Sequence, residues 1–98
     1  MTAHQPWRLL RMGAASPVEN MATDEALWRS SEARPALRLY AWSPPALSLG
    51  WFQPREAFEQ QAARAGVPIV RRPTGGGAIH HEDELTFCLV ARAGEDGY

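Results

Sequence analysis

Residues 71–81 read Arg-Arg-Pro-Thr-Gly-Gly-Gly-Ala-Ile-His-His, and the three glycines at their centre limit the fold more than any other feature of the chain. Glycine loses more backbone freedom than alanine on folding, so three in a row would weaken a helix or a strand. The run therefore reads as a loop. It follows a short apolar stretch, Val67, Ile69 and Val70, and precedes a second, Ala78 and Ile79, so it joins two strands. Backbone without side chains lets a ligand approach closely and meet free N–H groups. Arg71 and Arg72 upstream and His80 and His81 downstream add donors, a set suited to a carboxylate or a phosphate. The plainer alternative is a turn or bulge between strands, with both arginines as solvated charges. No Gly-Lys-Ser/Thr follows and no G-x-G-x-x-G opens a helix, which excludes a Walker A loop and a dinucleotide fingerprint.

Around this loop the chain alternates strands and helices. Residues 7–12 predict a strand. Ser16 can cap a helix over residues 16–31, with Pro17 at its first position and Glu19 completing a capping box. Val18, Met21, Ala22 and Ala26 supply that helix with an apolar stripe. Asp24 and Glu25 are adjacent, and neighbouring helix positions point about 100° apart. They therefore read as solvated or ion-paired charges rather than a catalytic pair. Leu37, Leu39 and Ala41 alternate with Arg38, Tyr40 and Trp42, and Leu47, Leu49 and Trp51 with Ser48 and Gly50. Two strands joined as an antiparallel hairpin over residues 43–46 are expected. A second helix spans residues 54–65, with Phe58, Ala62 and Ala65 on one face and Gly66 and Pro68 stopping it. Residues 85–92 form the last strand, carrying Phe87, Cys88 and Leu89. Trp7, Trp28, Trp42 and Trp51 are expected in the core or in pocket walls. This order predicts an α+β fold with two helices and a mixed, largely antiparallel sheet.

Ninety-eight residues allow one small domain, which buries only about 60–65% of the surface of its unfolded chain. The net charge of −1 argues against a nucleic-acid or membrane-surface partner, although all ten basic residues are arginine. A single cysteine, Cys88, permits no internal disulfide and suits a reducing cytoplasm. The start, Met1-Thr2-Ala3-His4-Gln5, does not read as a signal peptide, and no apolar run is long enough to span a bilayer. A metal site in His80-His81-Glu82-Asp83-Glu84 is disfavoured, because successive strand residues alternate sides and do not converge on one ion.

Four ordered stretches resemble the lipoate–protein ligase A and octanoyltransferase family. They are Trp7-Arg8-Leu9-Leu10 leading to Glu19-Asn20-Met21-Ala22-Thr23-Asp24-Glu25-Ala26-Leu27, then residues 39–50, the glycine-rich residues 71–81, and Asp83-Glu84-Leu85-Thr86-Phe87. The resemblance covers nearly the whole chain. It implies a catalytic domain of the type shared with biotin ligases, which binds lipoate or octanoate and passes the acyl group to a lysine of a lipoyl carrier domain. Ligases use ATP and Mg²⁺ for this, whereas octanoyltransferases take the group from acyl carrier protein and need no cofactor.

On the family's pattern, Arg72, Thr74, Gly75, Gly76, Gly77, Ala78, Ile79, His80 and His81 form the substrate or adenylate site. Arg72 would meet the carboxylate or phosphate, and Arg71 would face the other side of its strand. His81 matches the family's histidine after the loop. His80 stands where an aromatic or apolar residue is usual, and Glu82 where aspartate is frequent. The family's downstream catalytic lysine or cysteine has no counterpart here: the chain has no lysine, and Cys88 lies in a predicted strand. No catalytic residue is therefore assigned. Residues 1–98 are expected to be the N-terminal portion of one catalytic domain, inactive in isolation. Asp83-Glu84-Leu85-Thr86-Phe87 leans towards cysteine-type octanoyltransferases, yet ligase and transferase both stay open. A non-catalytic acyl-binding or structural remnant is the alternative.

Overall fold

A computed structural model describes residues 6–30 and 34–91. Its elements are β1 (Arg8–Ala15), α1 (Pro17–Arg29), β2 (Ala36–Trp42), β3 (Ala46–Leu49), a 3-10 turn (Arg55–Phe58), α2 (Glu59–Ala65), β4 (Ile69–Arg71), β5 (Ile79–His81) and β6 (Thr86–Val90). Ser16 caps α1 as its sequence suggests: its Oγ accepts the Glu19 N–H at 3.1 Å. At the end of α2, Gly66 adopts the left-handed conformation (φ 70°) that favours glycine there.

The strands form two three-stranded sheets, ordered β1-β2-β6 and β4-β3-β5. β1 runs parallel to β2 and β4 parallel to β3, while β6 and β5 run antiparallel to β2 and β3. The class is α+β and the sheets are mixed as expected, with parallel and antiparallel pairs in equal number among the described strands. The expected β2–β3 hairpin does not form. Both edges of β2 are taken by β1 and β6, and both edges of β3 by β4 and β5, so residues 43–45 carry the chain from one sheet to the other.

The periodicities hold, but the most deeply buried faces carry polar residues, and of the stripe expected on α1 only Met21 is buried. In β2 the buried residues are Ala36, Arg38, Tyr40 and Trp42, and the half-buried ones are the apolar Leu37, Leu39 and Ala41. In α1 the inward face is Pro17, Asn20, Met21 and Asp24, while Val18, Ala22 and Ala26 are exposed. The helix ends at Arg29. β3 is buried throughout, with Trp51 beyond its end and exposed. Of the four tryptophans only Trp42 is buried; Trp28 borders a cavity, and Trp7 and Trp51 are exposed. Two apolar clusters result. Met21, Tyr40, Trp42, Ala46 and Val70 bridge α1 and the two sheets. Leu47, Leu49 and Ala62 join β3 to α2.

This burial of polar residues follows from one network. Arg38, 1% exposed, donates from Nη1 to Asp24 Oδ1 at 2.7 Å and to the Asn20 carbonyl at 3.1 Å. Its Nη2 donates to Asn20 Oδ1 at 2.7 Å, and the Tyr40 hydroxyl donates to Asp24 Oδ2 at 2.7 Å. A buried charge is tolerable when it is paired and hydrogen-bonded, and here the inward faces of α1 and β2 supply the oxygen partners, with Met12 Sδ on β1 accepting from Arg38 Nε at 3.0 Å. Asp24 is thus ion-paired, as one of its expected states had it, but inside the protein. Glu25 pairs with Arg29 on the surface at 3.4 Å.

Candidate functional site

The glycine loop folds back onto the end of β3. The Arg72 N–H donates to the Leu49 carbonyl and the Trp51 N–H to the Thr74 carbonyl, both at 2.8 Å. Gly50 lies directly beneath the loop, where a Cβ would collide with the Gly76 carbonyl. Gly76 itself has φ 97°, a conformation that glycine alone adopts easily.

Arg72 clamps the loop from inside. Its Nη1 donates to Ser48 Oγ at 2.7 Å and to the Ser48 carbonyl at 3.1 Å. Its Nη2 donates to the Gly77 carbonyl at 2.6 Å and the Gly75 carbonyl at 3.0 Å. With the loop carbonyls turned towards the guanidinium, the N–H groups of Gly75, Gly76 and Gly77 find no acceptor among the described residues. Burial lowers the Arg72 pKa from its ordinary value, the expected direction for a cation drawn out of water. Arg71 faces the other way, as anticipated. Its Nη1 donates to the carbonyls of Gly50, Trp51 and Gln53, which fixes the turn after β3.

His81 is buried, its ring stacked on Trp42 at 4.0 Å between centroids. Nε2 lies 2.7 Å from Ser48 Oγ and Nδ1 lies 2.9 Å from Glu84 Oε2. Burial opposes the charge on Glu84, but hydrogen bonds from His81 and Thr86 prevail and hold its carboxyl below the ordinary value. His80 points outward to Glu82 at 3.8 Å. The two histidines lie on opposite faces of β5, and no group of three metal-binding side chains gathers among the described residues.

A cavity of about 540 Å³ opens beside the loop. Arg72, Thr74 and His81 give its wall polar atoms, while Met21, Trp42 and Ile79 give it apolar surface. Of the expected site residues, this cavity brings together Arg72, Thr74, Ile79 and His81. Gly75, Gly76 and Gly77 are exposed in the loop beside it, and Ala78 packs instead against the cluster between β3 and α2. Sequence reasoning assigned no role to Ser48, Gly50 or Glu84. The available signal was their place in stretches already singled out, a serine and a glycine ending a strand and a glutamate three residues after His81.

Cys88 also lines the cavity. Burial, reinforced by neighbouring Asp24, pushes its thiol up to about 12. The reactive thiolate therefore becomes abundant only as pH approaches that value. Iodoacetamide at about pH 8 should label Cys88 far more slowly than a free cysteine, read by intact mass. Labelling at the free-thiol rate would contradict this placement.

Residues 16–98 match the family model of the lipoyl protein ligase A/B catalytic domain. The octanoyltransferase LipM of Moorella thermoacetica is 46% identical over 93 residues, covering 90% of this chain and 34% of that protein. A bi-partite lipoate protein ligase from Thermoplasma acidophilum, studied with its E2 lipoyl domain, superposes with a TM-score of 0.76 at 32% identity. That alignment covers 90% of this chain and 36% of the other. A lipoate-protein ligase A bound with ATP superposes with a TM-score of 0.73 at 33% identity, over 86% and 36% of the two chains. The chain thus spans about a third of the length of these relatives.

Proposed function

Since the chain belongs to the lipoyl protein ligase A/B catalytic-domain family, we propose that it supplies the acyl-binding part of an enzyme of protein lipoylation. The reaction is transfer of an octanoyl or lipoyl group to a lysine of a lipoyl carrier domain. The observation that carries this reading is the glycine loop, clamped by Arg72 so that three N–H groups stand free beside a largely apolar cavity. Preorganised N–H groups suit the negative charge that develops on an acyl oxygen during transfer. The polar end of the acyl group sits at Gly75, Gly76 and Gly77, with Arg72, Thr74 and His81 around it and Ile79 against the alkyl chain. Ala78 and His80 contribute backbone.

Octanoyl transfer from acyl carrier protein, without a nucleotide, is the preferred form of this reading. Its support is the 46% identity to an octanoyltransferase. Ligation of free lipoate with ATP and Mg²⁺ is the second form. The Arg72 cation and the free N–H groups fit a phosphate as readily as a carboxylate, and one structural relative was solved bound with ATP. The described residues hold no cluster of three metal-binding side chains, so nothing in them is assigned to Mg²⁺. We also propose that residues 1–98 are the N-terminal portion of a single catalytic domain. Leu9, Leu37 and Leu89 are in register across β1, β2 and β6, with Leu9 and Leu89 more than half exposed, the kind of surface that a further layer would cover.

The test uses the whole protein that carries this sequence and an apo lipoyl carrier domain. One arm adds octanoyl acyl carrier protein, the other lipoate with ATP and Mg²⁺. An octanoyl adduct on the carrier lysine, seen by mass spectrometry, is the expected result. A lipoyl adduct formed only in the second arm would select ligation. No adduct in either arm would overturn the proposal.

A further inference from the structure

The Arg72 clamp is one end of a longer chain of hydrogen bonds whose directions all agree. Glu84, held ionised by His81 and Thr86, can only accept at Oε2, so the proton between them sits on His81 Nδ1. In the neutral imidazole Nε2 then carries a lone pair and accepts the Ser48 Oγ–H at 2.7 Å. With its proton committed, Ser48 Oγ receives Arg72 Nη1, also at 2.7 Å. The sequence Arg72 to Ser48 to His81 to Glu84 thus runs from a cation to an anion, each group donating to the next. Ser48 and His81 are 0% and 3% exposed, so water cannot readily replace any inner link. Trp42 holds the His81 ring by stacking and donates from Nε1 to Thr86 Oγ1 at 2.8 Å; that hydroxyl donates to Glu84 Oε2, also at 2.8 Å.

We propose that Ser48, His81 and Glu84 are positioning residues that act through Arg72, setting the angle of its fork and so the shape of the anion-binding loop. This deepens the acyl-transfer reading and rests on it for the ligand. All four Nη hydrogens of Arg72 go to protein oxygens, two on Ser48 and one each on Gly75 and Gly77. Its work is therefore to present the loop N–H groups and to place a positive charge behind them. Serine, histidine and glutamate in this order also resemble a nucleophilic triad. Ser48 does not fit that role, because its hydroxyl is enclosed and its oxygen already accepts from Arg72.

Two measurements test this on the whole protein. The first needs no ligand: ¹⁵N NMR of the imidazole should find His81 protonated on Nδ1 and bare on Nε2. Ser48→Ala should speed solvent exchange of the Arg72 Nη protons. The opposite tautomer, or unchanged exchange, overturns the relay whether or not the protein binds an acyl group. The second is calorimetric binding of octanoate by Ser48→Ala and Glu84→Gln, each also made in an Arg72→Ala background, with folding checked by circular dichroism. Each change should weaken binding about tenfold in the wild-type background, the worth of one hydrogen bond to a charged group. In the Arg72→Ala background each should change it by less than about twofold, because groups in one network do not add. Equal losses in both backgrounds, or an acyl adduct on Ser48 by mass spectrometry, would overturn the proposal. Absence of octanoate binding by wild type would count against the acyl-transfer reading, with the relay still judged by NMR.

Discussion

Arg38→Ala will lower the stability of the protein by about 3–5 kcal/mol, the usual loss when one partner of a buried ion pair is removed. The Arg38 guanidinium is the hub for Asp24 and Asn20, and its cation also lies 3.7 Å above the Tyr40 ring centre. Without it, the Asp24 carboxylate stays buried beside the Tyr40 hydroxyl and the Cys88 thiol with its cation gone, and Asn20 Oδ1 loses its donor. Glu25→Ala, which breaks the exposed pair with Arg29, should change stability by less than about 1 kcal/mol. Urea unfolding followed by circular dichroism separates the two. Similar small losses would mean that the Asp24–Arg38 network does not hold α1 to β2.

Gly50→Ala will be the most damaging of the single-methyl changes near the loop, at about 1–3 kcal/mol. The added Cβ would strike the carbonyl carbon and oxygen of Gly76, and backbone cannot swing aside as a flexible side chain would. Relief requires the loop to lift, which also breaks the contacts of Arg72 with Gly75 and Gly77. Acyl binding should fall together with stability. Gly77→Ala is the matched control, because a Cβ there meets nothing within 4 Å. Equal unfolding midpoints for the two variants would contradict the close seating of the loop on β3.

Much of this arrangement was legible in the sequence, because it rests on local rules. Three glycines demanded a loop, Ser16-Pro17-Val18-Glu19 a helix start, and Gly66 a helix end. The family's pattern also placed Arg71 and Arg72 on opposite faces. What sequence reasoning missed is which face turns inward. Hydropathy assigns Leu37 and Leu39 to the core and Arg38 to water, yet Arg38 is buried and the two leucines only half-buried, because Asp24 and Asn20 wait on α1, 14 and 18 residues upstream. Ser48 misled in the same way. Its alternation with Leu47 and Leu49 suggested a solvent face, but that face of β3 meets Arg72 and His81. The β2–β3 hairpin failed for a longer-range reason: the partners of β3 are β4 and β5, whose competition for its edges no local pattern reveals.

The free N–H groups of the glycine loop can be watched directly. Titrating the ¹⁵N-labelled whole protein with octanoate should move the amide signals of Gly75, Gly76 and Gly77 more than any others. Those three peaks staying fixed while shifts gather elsewhere would contradict the assignment of this loop as the acyl-binding site.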